Sequence, residues 1–294
     1  MDTKGLTQTS FQGLPLVSRG KVRDIYKIAP YLLIVATDRI SAFDVIMPNP
    51  IPGKGKILTR MSAFWFEKMS DIIGNHLITT DVDKFPGACA PYKEIMDERC
   101  MLVKRAQPLP VECIVRGYLT GSGWKDYRNG QTISGIRLPE GLKESAKLSE
   151  PIFTPSTKAE SGAHDMPITK EEVEDLIGSE LTQRIVDISI AIYERALQIA
   201  DRAGVIIADT KMEFGIFEDE LILIDELLTP DSSRFWPKDE YVEGRSQKSY
   251  DKQFLRDYLL SIRWDQKPPA PQLPLHIIDK TREKYEEALN LLLK

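Results

Sequence analysis

The stretch Val205-Ile206-Ile207-Ala208-Asp209-Thr210-Lys211-Met212-Glu213-Phe214-Gly215 limits what this chain can fold into more than any other. An apolar run enters a segment in which charged and apolar residues alternate, and side chains alternate across a β-strand. Asp209, Lys211 and Glu213 therefore share one face, while the apolar neighbours set the strand against a core. Leu221-Ile222-Leu223-Ile224-Asp225-Glu226 follows the polar turn Glu218-Asp219-Glu220 and reads as the returning strand of a β-hairpin. A hairpin symmetric about Asp219 puts Glu213 directly opposite Asp225. Facing like charges destabilise a strand pair unless something compensates. A divalent cation between the two carboxylates is the natural compensator, and magnesium held by one or two carboxylates plus substrate phosphates has this chemistry. The competing reading is a solvated face on which Lys211 neutralises its neighbours.

Composition narrows the class. The chain has 294 residues, 42% of them hydrophobic, enough for one large domain or two lobes. Charged residues make up 28% with a formal net charge of −5, and no block of Lys and Arg supplies the footprint of a nucleic-acid binder. Cys89, Cys100 and Cys113 are scattered, without a CxxC pair, and suggest neither a disulfide framework nor a zinc site. The N-terminus lacks a signal-peptide layout, and the longest clean apolar run, Tyr31 to Ala36, is too short to span a bilayer. A soluble cytoplasmic protein is expected, with no membrane partner.

The first hundred residues read as strand-rich, with Lys21–Ile28 and Tyr31–Ala36 as strands and a proline- and glycine-rich loop from Pro48 to Gly55. Ile57, Leu58, Met61, Phe64, Trp65, Met69 and Ile72 recur at helical spacing. Met101–Val103 and Val111–Val115 read as strands joined by Gln107-Pro108-Leu109-Pro110, the candidate hinge between lobes covering 1–108 and 109–294. Gly117 to Gly135 reads as loop. Thr169-Lys170-Glu171-Glu172 has capping-box spacing, and Leu181, Ile185, Ile188, Ile192, Ala196 and Ile199 form the core stripe of a long helix. Further helices are expected near Ser249–Ile262 and Asp279–Leu293. Strands early, helices late and a hairpin between them argue for an α+β fold.

Three other segments carry anion-binding chemistry. In Ser18-Arg19-Gly20-Lys21-Val22-Arg23-Asp24, Gly20 admits a ligand to the backbone, and Lys21 and Arg23 point to the same side of the following strand, which suits a polyphosphate. A strand edge made soluble by charge is the alternative. Arg116, near Ser122, and Arg234, after Asp231, each stand at a strand end among small hydroxyl or glycine residues, where a guanidinium grips phosphate or carboxylate with both arms. Lys158, Glu160, His164 and Asp165 occupy another polar loop, and the neighbouring His-Asp pair is poor grounds for a catalytic dyad.

Together the segments GKVRDIY, ATDRISAFD, IPGKGKILTRMSAFWF, PVECIVRGYLTGSGW, FTPSTKAE, ADTKMEFG and IDELLTPDSSRFW, running in order from Gly20 to Trp236, resemble the SAICAR synthetase family in its long, insert-bearing form. The resemblance implies an α+β fold with a strand-rich N-terminal lobe, a larger α/β C-terminal lobe and a kinase-like nucleotide cleft between them. It implies a ligase that joins L-aspartate to carboxyaminoimidazole ribonucleotide (CAIR), giving SAICAR, ADP and phosphate through an acyl phosphate, with ATP as co-substrate and Mg2+ required. Carried over residue by residue, it gives Gly20, Lys21, Val22 and Arg23 to the ATP phosphates and Val103 and Lys104 to the adenine. Compact members have Lys where this chain has Arg23. Glu213 and Asp225 fall to magnesium, and Lys211, Asp209 and Lys158 to catalysis, with Lys158 approaching the transferred phosphate. Arg116, Ser122, Asp231 and Arg234 fall to the nucleotide substrate, and Asp38, Ser41 and Asp44 match a motif without an assigned role. A monomer or small homo-oligomer is open. A kinase-like or ATP-grasp phosphotransferase is the alternative enzyme, although the HRDLxxxN and DFG signatures of protein kinases are absent. A nucleotide-binding regulatory module is the non-enzymatic alternative.

Overall fold

The computed structural model describes residues 5–158 and 165–294. In chain order, β1 (Leu16–Arg19) and β2 (Arg23–Ile28) form a hairpin, and β3 (Tyr31–Ala36) returns against β2. The run Leu33-Ile34-Val35-Ala36 is buried, as its continuous apolar sequence requires. A short hairpin of β4 (Ser41–Ala42) and β5 (Val45–Ile46) precedes α1 (Lys54–Lys68), which enters through Gly53. Helix α1 lies close against β3: a Cβ on Gly55 would stand 2.1 Å from the Ala36 carbonyl oxygen, so only glycine fits. After β6 (Leu77–Thr79) and the single turn α2 (Lys93–Met96), β7 (Cys100–Val103) completes a five-stranded sheet in the order β1-β2-β3-β7-β6.

The second sheet starts with β8 (Gln107–Tyr118), followed by α3 (Gly121–Gly130) and a small hairpin of β9 (Thr132–Ile133) and β10 (Ile136–Arg137). Strands β11 (Lys147–Phe153) and β12 (Ser156–Thr157) both pair with β8. Helix α4 (Lys170–Ile177) begins at the Thr169–Glu172 capping box and leads to α5 (Ser179–Arg202). Then β13 (Val205–Phe217) lies between β8 and its own hairpin partner β14 (Glu220–Ile224), and β15 (Ser233–Pro237) pairs with the first half of β13. Helices α6 (Gln253–Ser261) and α7 (Leu275–Leu292) close the chain. The largest core cluster joins both sheets, with Ile34, Met61 and Trp65 in contact with the group that holds Phe214, Ile192 and Tyr285.

A backbone suture crosses from one sheet to the other just before β6. Leu223 of β14 donates to Gly74 O (2.9 Å), His76 N donates to Leu223 O (2.9 Å), and Lys104 N, after β7, donates to His76 O (2.8 Å).

Two expectations fail locally. Gln107–Pro110, read as a connection, is the beginning of β8 and pairs with β13, with Pro108 facing Gly215 beside a bulge. Gly117–Gly135, read as loop, contains α3, because Tyr127 and Leu119 pack with Ile133, Leu138 and Leu148 in a core of their own. That packing overrides weak helix formers at Gly121, Ser122 and Gly123. The long helix, the capping box and the two C-terminal helices stand where periodicity put them, with bounds shifted by a few residues. Among the described residues no helix is long and apolar enough to cross a membrane.

Candidate functional site

Strand β13 carries Asp209, Lys211 and Glu213 on one face, and its neighbours supply a charged partner at each level. Asp209 is in register with Arg116 on β8 and with Arg234 on β15. Arg116 Nη1 donates to Asp209 Oδ2 (2.7 Å), and Arg234 Nη1 donates to the same oxygen. Arg116 is fixed further by Thr154 Oγ1 (3.0 Å, from Nε) and Ser122 Oγ (3.1 Å, from Nη2). Burial lowers the Arg116 pKa; Asp209 opposes the shift and Arg234 adds to it.

One carboxylate between two guanidinium groups leaves an excess positive charge. The amino end of α3 adjoins it: Gly121 has φ 58°, and a Cβ there would stand 2.2 Å from Arg234 Nη2. The α3 N-cap, Thr120, makes no side-chain cap, and Arg234 Nε is buried without a partner among the described residues. Converging guanidinium groups at a helix amino end suit a phosphate.

Further along the face, Lys211 Nζ meets Glu112 Oε1 of β8 (2.5 Å), while Lys158 pairs with Glu213. Burial opposes the charge of Lys211, but Glu112 and Glu213 outweigh it and raise the pKa. Burial raises that of Glu112, against Lys211. A cavity of about 270 Å³ opens over this face, lined by Arg116, Ser122, Thr154, Lys211, Glu112 and Asp165 among others.

The hairpin is centred one half-step from its expected position. Glu218 and Asp219 both have positive φ (52° and 64°) and form a two-residue turn, so Glu213 pairs with Ile224 and, on the other side, faces Glu112. Glu213 is therefore not directly opposite Asp225. Asp225 lies just beyond β14, turned by a left-handed backbone (φ 63°), and accepts from Arg23 Nη1 at 2.7 and 2.8 Å. The two acids still interact: burial raises the Asp225 pKa, Arg23 opposes this, and the Glu213 charge raises it further.

No three His, Cys, Asp or Glu side chains among the described residues form a metal cage. Two repelling carboxylates nevertheless fit a hard cation whose remaining ligands are phosphate oxygens and water.

The glycine-bearing segment is corrected in detail. Gly20, Lys21 and Val22 form the turn of the β1–β2 hairpin, closed by Gly20 N donating to Arg23 O (2.8 Å). Lys21 thus precedes β2 and pairs at the tip with Asp44, both about half exposed, while Arg23 reaches inward to Asp225 and to Glu226 (2.6 Å). Val103 is buried in the core, and Lys104 carries its ammonium 5.4 Å from the Phe217 ring centre.

Asp38 is 1% exposed and accepts from Gly55 N, Leu6 N and Arg99, an anchor for the loop around α1; Ser41 begins β4. Asp231 goes to a separate buried cluster with Lys54 (2.7 Å), Lys252 (3.2 Å) and the Tyr285 hydroxyl, which donates at 2.8 Å. Glu160 and His164 lie outside the described residues. Sequence reasoning missed Glu112 and Thr154 as parts of the site, and Lys54 and Lys252 as the partners of Asp231. Strand alternation with Arg116 is the signal that places Glu112 on this face.

Residues 16–271 match the SAICAR synthetase family. The phosphoribosylaminoimidazole-succinocarboxamide synthase of Thermodesulfovibrio yellowstonii is 61% identical over 285 residues, covering 97% of each chain. That of Desulfosudis oleivorans is 60% identical over 284 residues, again covering 97% of each chain. The solved SAICAR synthase of Saccharomyces cerevisiae, in complex with SAICAR, superposes with a TM-score of 0.89 at 47% identity, covering 98% of this chain and 97% of the other.

Proposed function

The chain belongs to the SAICAR synthetase family, ligases of purine biosynthesis, and from that premise we propose that it joins L-aspartate to CAIR at the expense of ATP, giving SAICAR, ADP and phosphate. The observation that carries this reading is the order of charges along one sheet face. An anion grip, Arg116–Asp209–Arg234, stands at one end, and Glu213, whose charge acts on Asp225 of the neighbouring strand end, at the other. Glu213 lies four residue steps along the strand from Asp209, on the order of 13 Å, a span suited to a nucleotide held by its phosphate at one end and reacting at the other.

In this reading Arg116, Arg234 and Ser122 hold the CAIR phosphate, and the amino end of α3 adds its dipole. Lys211 and Lys158 neutralise charge where the CAIR carboxylate meets the γ-phosphate, since two anions approach there and unscreened repulsion raises the barrier. Lys21 exchanges Asp44 for the ATP phosphates at little cost, because an exposed ion pair is worth at most about 1 kcal/mol. Glu213 and Asp225 would hold Mg2+, which would supply charge neutralisation for the phosphates. The carboxylate oxygen of CAIR attacks the γ-phosphorus, ADP leaves, and the aspartate amine displaces phosphate from the acyl phosphate.

The test is ADP release by the purified chain with Mg2+ and ATP. Release that needs both CAIR and L-aspartate is the expected result. ADP formed equally well without either, or none with both, would overturn the reading and favour a different phosphotransferase or a regulatory module.

A further inference from the structure

We propose that Asp231 is a positioning residue: clamped among Lys54, Lys252 and Tyr285, it sets the connection between β14 and β15 so that Arg234 meets the substrate phosphate. The role rests on the reading of Arg234 as a phosphate ligand, and it gives Lys54 of the GKGKILTRM segment a use that the reaction itself does not.

Asp231 is not placed to touch the substrate. Its side chain is 2% exposed and both oxygens are taken: Oδ2 by Lys54 Nζ (2.7 Å) and Lys252 Nζ (3.2 Å), and Oδ1 by the Tyr285 hydroxyl, which donates at 2.8 Å. These partners come from the first turn of α1, the residue before α6 and the middle of α7, so one carboxylate ties three helices to the connection. Lys54 is wholly buried, and a buried ammonium is kept only where an opposite charge compensates it. Burial opposes the Asp231 charge, but Lys252, Lys54 and Tyr285 outweigh it and hold the pKa below the usual carboxylate range.

A short, hydrogen-bonded path leads from this clamp to Arg234. Ser232 N and Ser233 N both donate to Thr229 O (3.1 and 2.8 Å), and Asp231 N donates to Thr229 Oγ1 (3.2 Å), which closes a tight turn around Asp231. Lys211 N donates to Ser232 O (2.9 Å), and the Ser233 and Thr210 hydroxyls lie 2.8 Å apart, so the turn passes directly onto β13. Arg234 comes next, held between Asp209 and Gly121, where even a Cβ would stand 2.2 Å from Nη2. With so little room, a shift of the turn moves the guanidinium out of the grip.

The test is steady-state kinetics of the full chain with CAIR and ATP varied in turn, joined to a double-mutant cycle with Arg234→Lys. Tyr285→Phe removes one hydrogen bond to Asp231 and leaves both ion pairs; it should raise the KM for CAIR about 5-fold and leave the KM for ATP unchanged. Asp231→Asn should do more, and if it does not fold, Lys252→Met, which leaves Asp231 paired with Lys54, makes the same comparison. In combination with Arg234→Lys, Tyr285→Phe should add nothing, because its effect passes through that guanidinium. A lowered Tm with an unaltered CAIR KM in Tyr285→Phe and in Asp231→Asn or Lys252→Met would reduce the cluster to fold stability and overturn the role. Effects that multiply in the double variant would overturn it too, since Asp231 would then act apart from Arg234. An unaltered CAIR KM in Arg234→Lys would overturn the phosphate reading and this inference with it.

Discussion

Asp209 accepts from two arginines on strands that flank it on opposite sides, which sets the cost of altering either one. Arg116 is buried and bonded to three partners, so its replacement disturbs the fold as well as the site. Arg234 keeps 20% of its side chain exposed and makes the cleaner probe. Lysine at this position preserves charge but loses the planar fork. Arg234→Lys should raise the KM for CAIR about tenfold, equivalent to roughly 1.4 kcal/mol, and leave the KM for ATP unchanged. Steady-state kinetics with each substrate varied in turn check this, and an unchanged CAIR KM would leave Arg234 a structural partner of Asp209 only. Both arginines were legible in the sequence from their strand-end settings. Their sharing of one carboxylate was not, because it depends on β15 joining β13 with a register shift between Ile207 and Asp209. Glu112 was hidden for a related reason: its partner Lys211 lies 99 residues away in the chain.

At the scale of elements, the β13–β14 hairpin was legible from alternation, but its centre was not. A turn centred on Asp219 and one shared by Glu218 and Asp219 differ by one residue of register, and neither glutamate nor aspartate advertises the positive φ that both positions adopt. Asn-Gly is the sequence that favours such a turn. The double substitution Glu218→Asn, Asp219→Gly should therefore stabilise the protein by about 1 kcal/mol, relieving two left-handed residues. Urea unfolding should show it at unchanged activity; a loss of stability would mean that the turn is not of this type. The α3 helix shows the opposite failure. Its glycines and serine speak for loop, and only packing of Tyr127 against Ile133 and Leu148 makes it helical.

For the whole molecule, the α+β class followed from where strands and helices cluster, while the joining of the two sheets through Gly74–His76 left no mark in the sequence. That suture brings Arg23 of the first sheet onto Asp225 and Glu226 beside the second, so the residues proposed for phosphate and for metal meet although 202 positions separate Arg23 from Asp225. The central claim is that this assembly brings a CAIR carboxylate to the γ-phosphate of ATP. The most direct test follows an atom. CAIR labelled with heavy oxygen in its carboxylate is turned over with ATP and L-aspartate, and the phosphate is analysed by mass spectrometry. Transfer of one labelled oxygen from each CAIR consumed to inorganic phosphate is the predicted result. Unlabelled phosphate formed alongside SAICAR would contradict the acyl-phosphate route and, with it, the charge-neutralising role of the β13 face.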